Sequence, residues 1–215
     1  MSKSVYSIVL SDDVVEAVDM LALRLGTNRS GLIDQILAER LQVTTPEKRM
    51  RDIFDSIFSL MDERFIHDNS SASSAIALRS SIAYKYKPTV RYALELLRVP
   101  DGEKIGNLKI SFRTRSSAFM ELLGQFYRLW IGVEGQYNPR GIVYKAESDK
   151  LIRPIYLQKG TDIKPEQLGE VISEYIYAFD TALKQFFANA GDLKTAAAGV
   201  EAAYLARIDK NIDKI

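Results

Sequence analysis

The stretch from Ser4 to Leu41 constrains the fold more than any other part of the chain: a short alternating strand runs into two helices, with too few residues to enclose a core. Val5-Tyr6-Ser7-Ile8-Val9-Leu10 alternates in parity, and Ser11-Asp12-Asp13 supplies a helix start directly behind it. The first helix is expected to run to about Leu25, Gly26 to stop it, and Ser30 to open a second helix that continues through Leu41. One strand and two short helices bury too little apolar surface to stand alone. The pattern closes if two chains intertwine, so that two strands pair and four helices pack over them.

Composition bears on this only by exclusion. At 215 residues the chain has room for one or two domains. A formal net charge of +1 gives no global polybasic field. The absence of cysteine excludes a disulfide framework and thiolate metal sites, and fits a reducing compartment. With His67 as the sole histidine, neither a histidine metal site nor a histidine relay is expected. No apolar stretch approaches the roughly 20 residues that span a bilayer, and the N-terminus has no signal-peptide core.

Beyond Val43, Thr44-Thr45-Pro46-Glu47 reads as a new helix start, with a threonine cap, proline in the first turn and an early acid. Met50, Ile53, Phe54, Ile57, Leu60, Met61 and Phe65 form one stripe along that helix, expected to end near Phe65. Residues 67–74, rich in serine, read as a linker. From Ala75 the period changes to two. Ile76, Leu78, Ile82, Tyr84 and Tyr86 share one parity, then Val90, Tyr92, Leu94 and Leu96, then Leu108, Ile110 and Phe112, with turns at Lys87-Pro88 and Pro100-Asp101-Gly102. These runs predict a three-stranded antiparallel meander with one wet face. Ser116-Ser117 caps an apolar helix to about Val133 that would cover the other face. A further hairpin is expected from Ile142 to Tyr144 and Leu151 to Leu157, with Pro154 marking an edge strand. Pro165 opens a long helix to about Ala190, and a last stripe from Leu193 through Val200, Tyr204, Ile208 and Ile212 to Ile215 suits packing on that helix or self-association.

The strand parity, the helix lengths, Gly26 and the Asn28-Arg29-Ser30 entry to the second helix resemble the ribbon-helix-helix family of the Arc and MetJ repressors. The resemblance covers residues 1–43. It implies a homodimer whose two-stranded ribbon enters the major groove, which is wide enough to admit it. Tyr6, Ile8 and Leu10 would then face the helices, while Lys3, Val5, Ser7 and Val9 would form the DNA base-reading strand. Val14 or Val15, Val18, Leu21 and Leu25 would be buried from the first helix, and Leu32, Ile33, Ile36, Leu37 and Leu41 from the second. The resemblance further implies phosphate binding at Asn28, Arg29 and Ser30, where helix dipole, hydroxyl and guanidinium combine. Family members usually carry hydrogen-bonding side chains on the reading strand. Val5 and Val9 depart from that, leaving direct readout to Lys3 and Ser7.

The chain therefore reads as α+β: a dimeric ribbon-helix-helix module over residues 1–43, a helical connector and linker over 44–74, and an α+β domain over 75–215. That last domain would be an antiparallel β-meander packed with long helices, serving oligomerisation or effector sensing. Residues 1–51 carry seven basic and seven acidic side chains, so any positive surface there is local. Between Lys85 and Arg115 there are eight basic residues against three acidic ones, and Lys85, Lys87, Arg91, Lys109, Arg113 and Arg115 form a candidate secondary anion face. Its partner would be a DNA backbone, a nucleotide or an acidic protein, although a solvated sheet face ordinarily carries charge. The aromatic clusters Phe119, Phe126, Tyr127, Trp130 and Tyr175, Tyr177, Phe179, Phe186, Phe187 read as core or as the lining of an effector pocket.

Ser70, Ser73 and Ser74 lie near His67 but without a nucleophile elbow, and no glycine-rich phosphate loop is present. No catalytic residue, metal or cofactor is expected, and the chain does not read as an enzyme. The expected function is a sequence-specific DNA-binding transcriptional regulator, a repressor by analogy, acting on double-stranded DNA as a homodimer or higher oligomer in the cytoplasm, on the nucleoid. Two alternatives stay open: a plasmid or mobile-element DNA-handling protein, such as a partition or relaxosome accessory, and an antitoxin-like or scaffold dimer that holds a partner protein.

Overall fold

The structure is a computed structural model that describes residues 5–68, 74–85, 87–114, 116–158 and 160–215. It divides into two compact units, residues 1–49 and 50–215. Among the described residues the chain is α+β, with six α-helices and a six-stranded antiparallel sheet.

The first unit holds α1 (Asp12–Arg24) and α2 (Arg29–Arg40). Asp12 and Asp13 sit in the first turn of α1, where the helix dipole favours negative charge. Gly26 ends α1 at φ +62°, its N–H donating to Leu23 O while Thr27 N–H donates to Ala22 O. This paired closure needs a left-handed residue, and glycine takes it without steric cost. The same closure recurs after α2, but there Gln42 takes the left-handed position at φ +56°. Val18, Ala22 and Leu32 form the small core of the unit, with Leu21 and Ile33 half-buried against it.

Several positions expected inside are on the surface: Leu25, Ile36, Leu37 and Leu41 are exposed, and of the alternatives Val14 and Val15 the first is exposed and the second half-buried. Residues 5–10, expected as a strand, carry no strand pairing within the single chain. The expected strand-helix-helix order is therefore not formed among the described residues: α1 is the first element, and the strands all follow the third helix. All of residues 5–10 are exposed, from 100% at Val5 and Val9 and 83% at Tyr6 to 38% at Leu10 next to α1.

In the second unit the strands run β1 (Ile66–Asp68), β2 (Ala75–Ser81), β3 (Thr89–Asp101), β4 (Lys104–Phe112), β5 (Lys145–Ala146) and β6 (Lys150–Tyr156). Their order in the sheet is β1-β2-β3-β4-β6-β5. Val90, Tyr92, Leu94, Leu96, Leu108, Ile110 and Phe112 are buried as their alternation predicts. Helices α3 (Pro46–Leu60), α4 (Ser117–Tyr137), α5 (Pro165–Ala188) and α6 (Leu193–Ile208) build the other half of this core. Thr45 caps α3 through Lys48 N–H, and Ser116 caps α4 through Phe119 N–H. α5 is buried on nearly all sides, and α3 crosses it so closely that a Cβ on Gly169 would lie 2.7 Å from Ser56 Cβ.

Five expectations need correction. The helix expected to reach Phe65 ends at Leu60, which is exposed; Phe65 follows it in irregular chain and packs edge-on to Tyr92 and Tyr177. His67 and Asp68 belong to β1, paired with β2, so the serine-rich linker does not include them; residues 69–73 lie outside the described ones. α3 is no simple connector, because Met50, Ile53, Phe54 and Ile57 sit in the core of the second unit. The strand expected at Ile142–Tyr144 lies instead at Lys145–Ala146, and Tyr84 lies in the turn after β2, which ends at Ser81; Tyr86 is outside the described residues. Pro154 sits in the part of β6 that β5 does not cover.

One buried polar cluster joins the layers. Arg153 shares the parity of Leu151 and Ile155, so β6 turns its guanidinium into the core, where it is fully buried. Arg153 Nε donates to Glu134 Oε1 of α4 at 3.0 Å, and Nη2 donates to Ile215 O at 2.5 Å. Tyr175 Oη donates to Glu134 Oε2 at 2.8 Å, and the Arg153 guanidinium lies 4.2 Å above the Tyr175 ring. Trp130 Nε1 donates to Tyr175 Oη at 2.9 Å. A second cluster sets Tyr92 Oη against Asp180 Oδ1 at 3.0 Å, with Lys184 bridging Asp180 and Ser80.

Removing one partner of a buried pair strands the other charge, at a cost of about 3–5 kcal/mol, while replacing both with apolar residues costs far less. Glu134→Gln is therefore expected to lower the stability of the second unit by about that amount. Glu134→Leu combined with Arg153→Met should recover much of the loss, read by urea denaturation through Trp130 fluorescence. The buried tyrosines make a second prediction. Burial pushes the phenols of Tyr92, Tyr127, Tyr175 and Tyr204 up, and Asp180 beside Tyr92 and Glu134 beside Tyr175 push further. Their folded-state values lie above the unfolded value of about 10. The stabilisation is thus complete below about pH 10 and declines above it, by up to about 1.4 kcal/mol per pH unit per tyrosine. Melting temperature against pH, followed with tyrosinate absorbance, should show a decline that begins near pH 10 and is shallower for Tyr127→Phe.

Candidate nucleic-acid interface

Two surfaces carry the residues that the sequence singles out. On the first unit, α2 begins at the turn that holds Asn28, Arg29 and Ser30 together. Asn28, not Ser30, is the cap: its side chain accepts from Gly31 N–H at 2.8 Å, and Arg29 and Ser30 occupy the first two helical positions. By helix geometry their N–H groups have no carbonyl one turn back to bond, and the dipole favours an anion there. The Arg29 guanidinium is engaged with Asp19 of α1, Nε donating to Oδ1 at 2.6 Å and a second nitrogen donating to Oδ2. The hydrogen bond from Arg29 holds the Asp19 carboxyl below the usual carboxylate range, and the same interaction raises Arg29. Both side chains remain about half exposed, so solvent screening leaves the pair weak. Arg29 is thus held by Asp19 at the surface and not locked by burial. Asp19 carried no signal in the sequence, because it reads as one more solvated acid of α1.

Val5, Ser7 and Val9 lie on the exposed, unpaired stretch before α1, and Lys3 is outside the described residues. The expected secondary anion face is only partly assembled. Arg91 and Lys109 sit on the exposed face of the sheet, on β3 and β4. Lys85 and Lys87 lie in the β2–β3 turn rather than on a strand, Lys87 at φ +42°. Arg113 follows the end of β4, and Arg115 is outside the described residues.

The register adds two residues that were not singled out. Arg79 pairs with Arg91, Arg91 with Ser111, and Ser111 with Lys150, so one cross-strand row carries three cations. Asp68 bridges the first two, 3.5 Å from Arg79 and 3.1 Å from Arg91. Lys150 pairs with Glu147 at 2.6 Å, and that hydrogen bond raises its pKa.

Other candidates resolve into structure. The His67 ring packs against Phe58 with centroids 4.4 Å apart and planes tilted by 31°, and the Ser74 carbonyl accepts from Leu96 N–H; Ser70 and Ser73 are outside the described residues. The aromatic clusters pack on one another, as with Phe126 on Phe179 at 5.2 Å and Phe119 on Phe187 at 4.6 Å. Among the described residues no group of acidic, histidine or cysteine side chains has the arrangement to hold a metal ion. No helix among them is long and apolar enough to cross a membrane. Comparison with protein-family models, with curated proteins and with solved structures found no match to this chain.

The pairing of Asp19 with Arg29 yields a directional test. If Arg29 engages a phosphate, Asp19→Asn releases it and strengthens DNA binding at low salt. The slope of log affinity against log salt should stay the same or steepen by up to about 0.9, the increment for one phosphate. Fluorescence anisotropy over a salt series reads both quantities.

Proposed function

We propose that the chain is a homodimeric, sequence-specific DNA-binding transcriptional repressor that works on the nucleoid and reads the major groove with a ribbon-helix-helix module over residues 1–43. One observation carries this reading: the first unit leaves Val5, Tyr6, Ile8, Val9, Leu25, Leu37 and Leu41 on its surface while burying only a handful of residues around Val18 and Leu32. Apolar exposure on that scale in so small a unit marks an interface. Pairing two Val5–Leu10 stretches would satisfy their main-chain groups and cover the Tyr6, Ile8 and Leu10 side, leaving Val5, Ser7 and Val9 outward. Val5 and Val9 supply methyl groups suited to packing on thymine, and Ser7 a hydrogen bond. Asn28, Arg29 and Ser30 would then hold flanking phosphates and set the register of the ribbon.

The engagement of Arg29 by Asp19 favours a second reading, an antitoxin-like or scaffold dimer whose first unit serves only to join two chains. Light scattering and DNA titration on the intact protein separate the two. The repressor reading expects a dimer that Ile8→Lys dissociates. It also expects enrichment of a defined motif from a random duplex pool, and an affinity loss with Arg29→Ala and Ser30→Ala. A dimer indifferent to duplex DNA at low salt identifies the scaffold, and a monomer overturns both.

A further inference from the structure

The second unit has one face that its own helices do not use. Tyr92, Leu94, Leu108 and Ile110 point from the central strands into the core, and the opposite parity carries Arg79, Arg91, Lys109 and Glu95 exposed, with Ala93, Ser111 and Ile152 half-buried and Ala77 buried between them. In register, Arg79, Arg91, Ser111 and Lys150 form one row across four strands, and Lys109 lies in the next row between Ala93 and Ile152. Like charges directly opposite each other, as at Arg79 and Arg91, weaken a sheet unless something offsets them. Here a single carboxylate, Asp68, serves both guanidiniums, so the trio keeps a positive charge with each arginine about half exposed. Lys109 has no carboxylate partner among the described residues.

We propose that this open face of the sheet binds the phosphate backbone of duplex DNA, as a second site of attachment in addition to the α2 turn. The proposal rests on the DNA-binding reading above. Its warrant is charge complementarity in a particular form. In register the long cationic residues Arg91 and Lys109 neighbour small ones, Ser111 and Ala93, which let a polymer backbone lie close. Neither of the two rows contains an aromatic ring. Sheets that hold single-stranded nucleic acid stack its bases on aromatic side chains. Besides arginine, lysine, serine and alanine the two rows hold only Ile66, Ile152 and Asp68, so they offer charge and hydrogen bonds and no stacking platform, which suits a duplex whose bases are already stacked. Binding there would carry no sequence information, and it answers the weakness of a reading strand with two valines by adding affinity through phosphates.

The test uses the intact protein and a mixed-sequence duplex of about 40 base pairs, long enough for several helical turns. Affinity is measured over a salt series for the parent, Lys109→Gln, the double variant Arg91→Gln with Lys109→Gln, and Lys194→Gln, the same charge change at an exposed position on α6. All are surface positions, and circular dichroism checks each fold. The salt slope is expected to fall by about 0.9 for each phosphate that is no longer neutralised, once for Lys109→Gln and about twice for the double variant, and not for Lys194→Gln. Unchanged slopes in the sheet variants, with the slope reduced by Arg29→Ala, overturn this proposal and leave the repressor reading standing. Absence of duplex binding by the parent overturns both. An equal dependence on Lys109 and Arg91 for an oligothymidine single strand overturns the duplex assignment.

Discussion

Arg153 organises the second unit. Taking a guanidinium out of water costs several kcal/mol, and only well-placed partners offset it. Here the partners come from four places: Glu134 on α4, the Tyr175 ring on α5, the Pro154 carbonyl on β6 itself and the main-chain oxygen of Ile215. Burial alone would lower the guanidinium's pKa, but the charge of Glu134 and the neighbouring tyrosines outweigh it and hold the pKa above its ordinary value. Each element is thereby positioned relative to the same atom group. The register of β6 follows, since a slip by one residue would turn Arg153 to the open face and leave Glu134 buried without its counter-charge. The row that ends on Lys150 exists only in this register.

The first unit has no comparable anchor. Its core is a meeting of two helix faces, and fewer than about 50 residues rarely fold around so little apolar area without a partner. The contrast between a unit closed by buried charge and one left open is what supports self-association at the N-terminal end. Function would then depend on protein concentration, because the same step that completes the fold would assemble the reading surface.

Much of this was legible in the residues. Thr45, Ser116, Pro165 and Gly26 punctuate the helices by local chemistry, and the period of two over residues 90–96 and 108–112 places the sheet's inner face without error. The rest needed long-range information. β1 is three residues long in a polar run, too short for any period to show. Arg153 and Glu134 break the apolar patterns of β6 and α4, and a charge in such a position reads as outward until its partner is known. Ser30 and Asn28 both suit a helix cap, and the choice between them rests on backbone geometry. The pairing of Arg79 with Arg91 and the alignment of Lys150 are facts of register, which hydrophobic patterning leaves undetermined across separate strands.

The margins of the sheet bear on how such a chain avoids the wrong assemblies. A free strand edge recruits other strands indiscriminately, and natural sheets shorten or break it. One margin here is the three-residue β1 and the other the two-residue β5, beyond which β6 continues through Pro154, a residue with no N–H to offer. Among the described residues, neither margin presents a run long enough to template a growing sheet. If two Val5–Leu10 stretches pair as proposed, that pairing ends after two copies, and a crowded solution of this protein would favour discrete dimers over filaments.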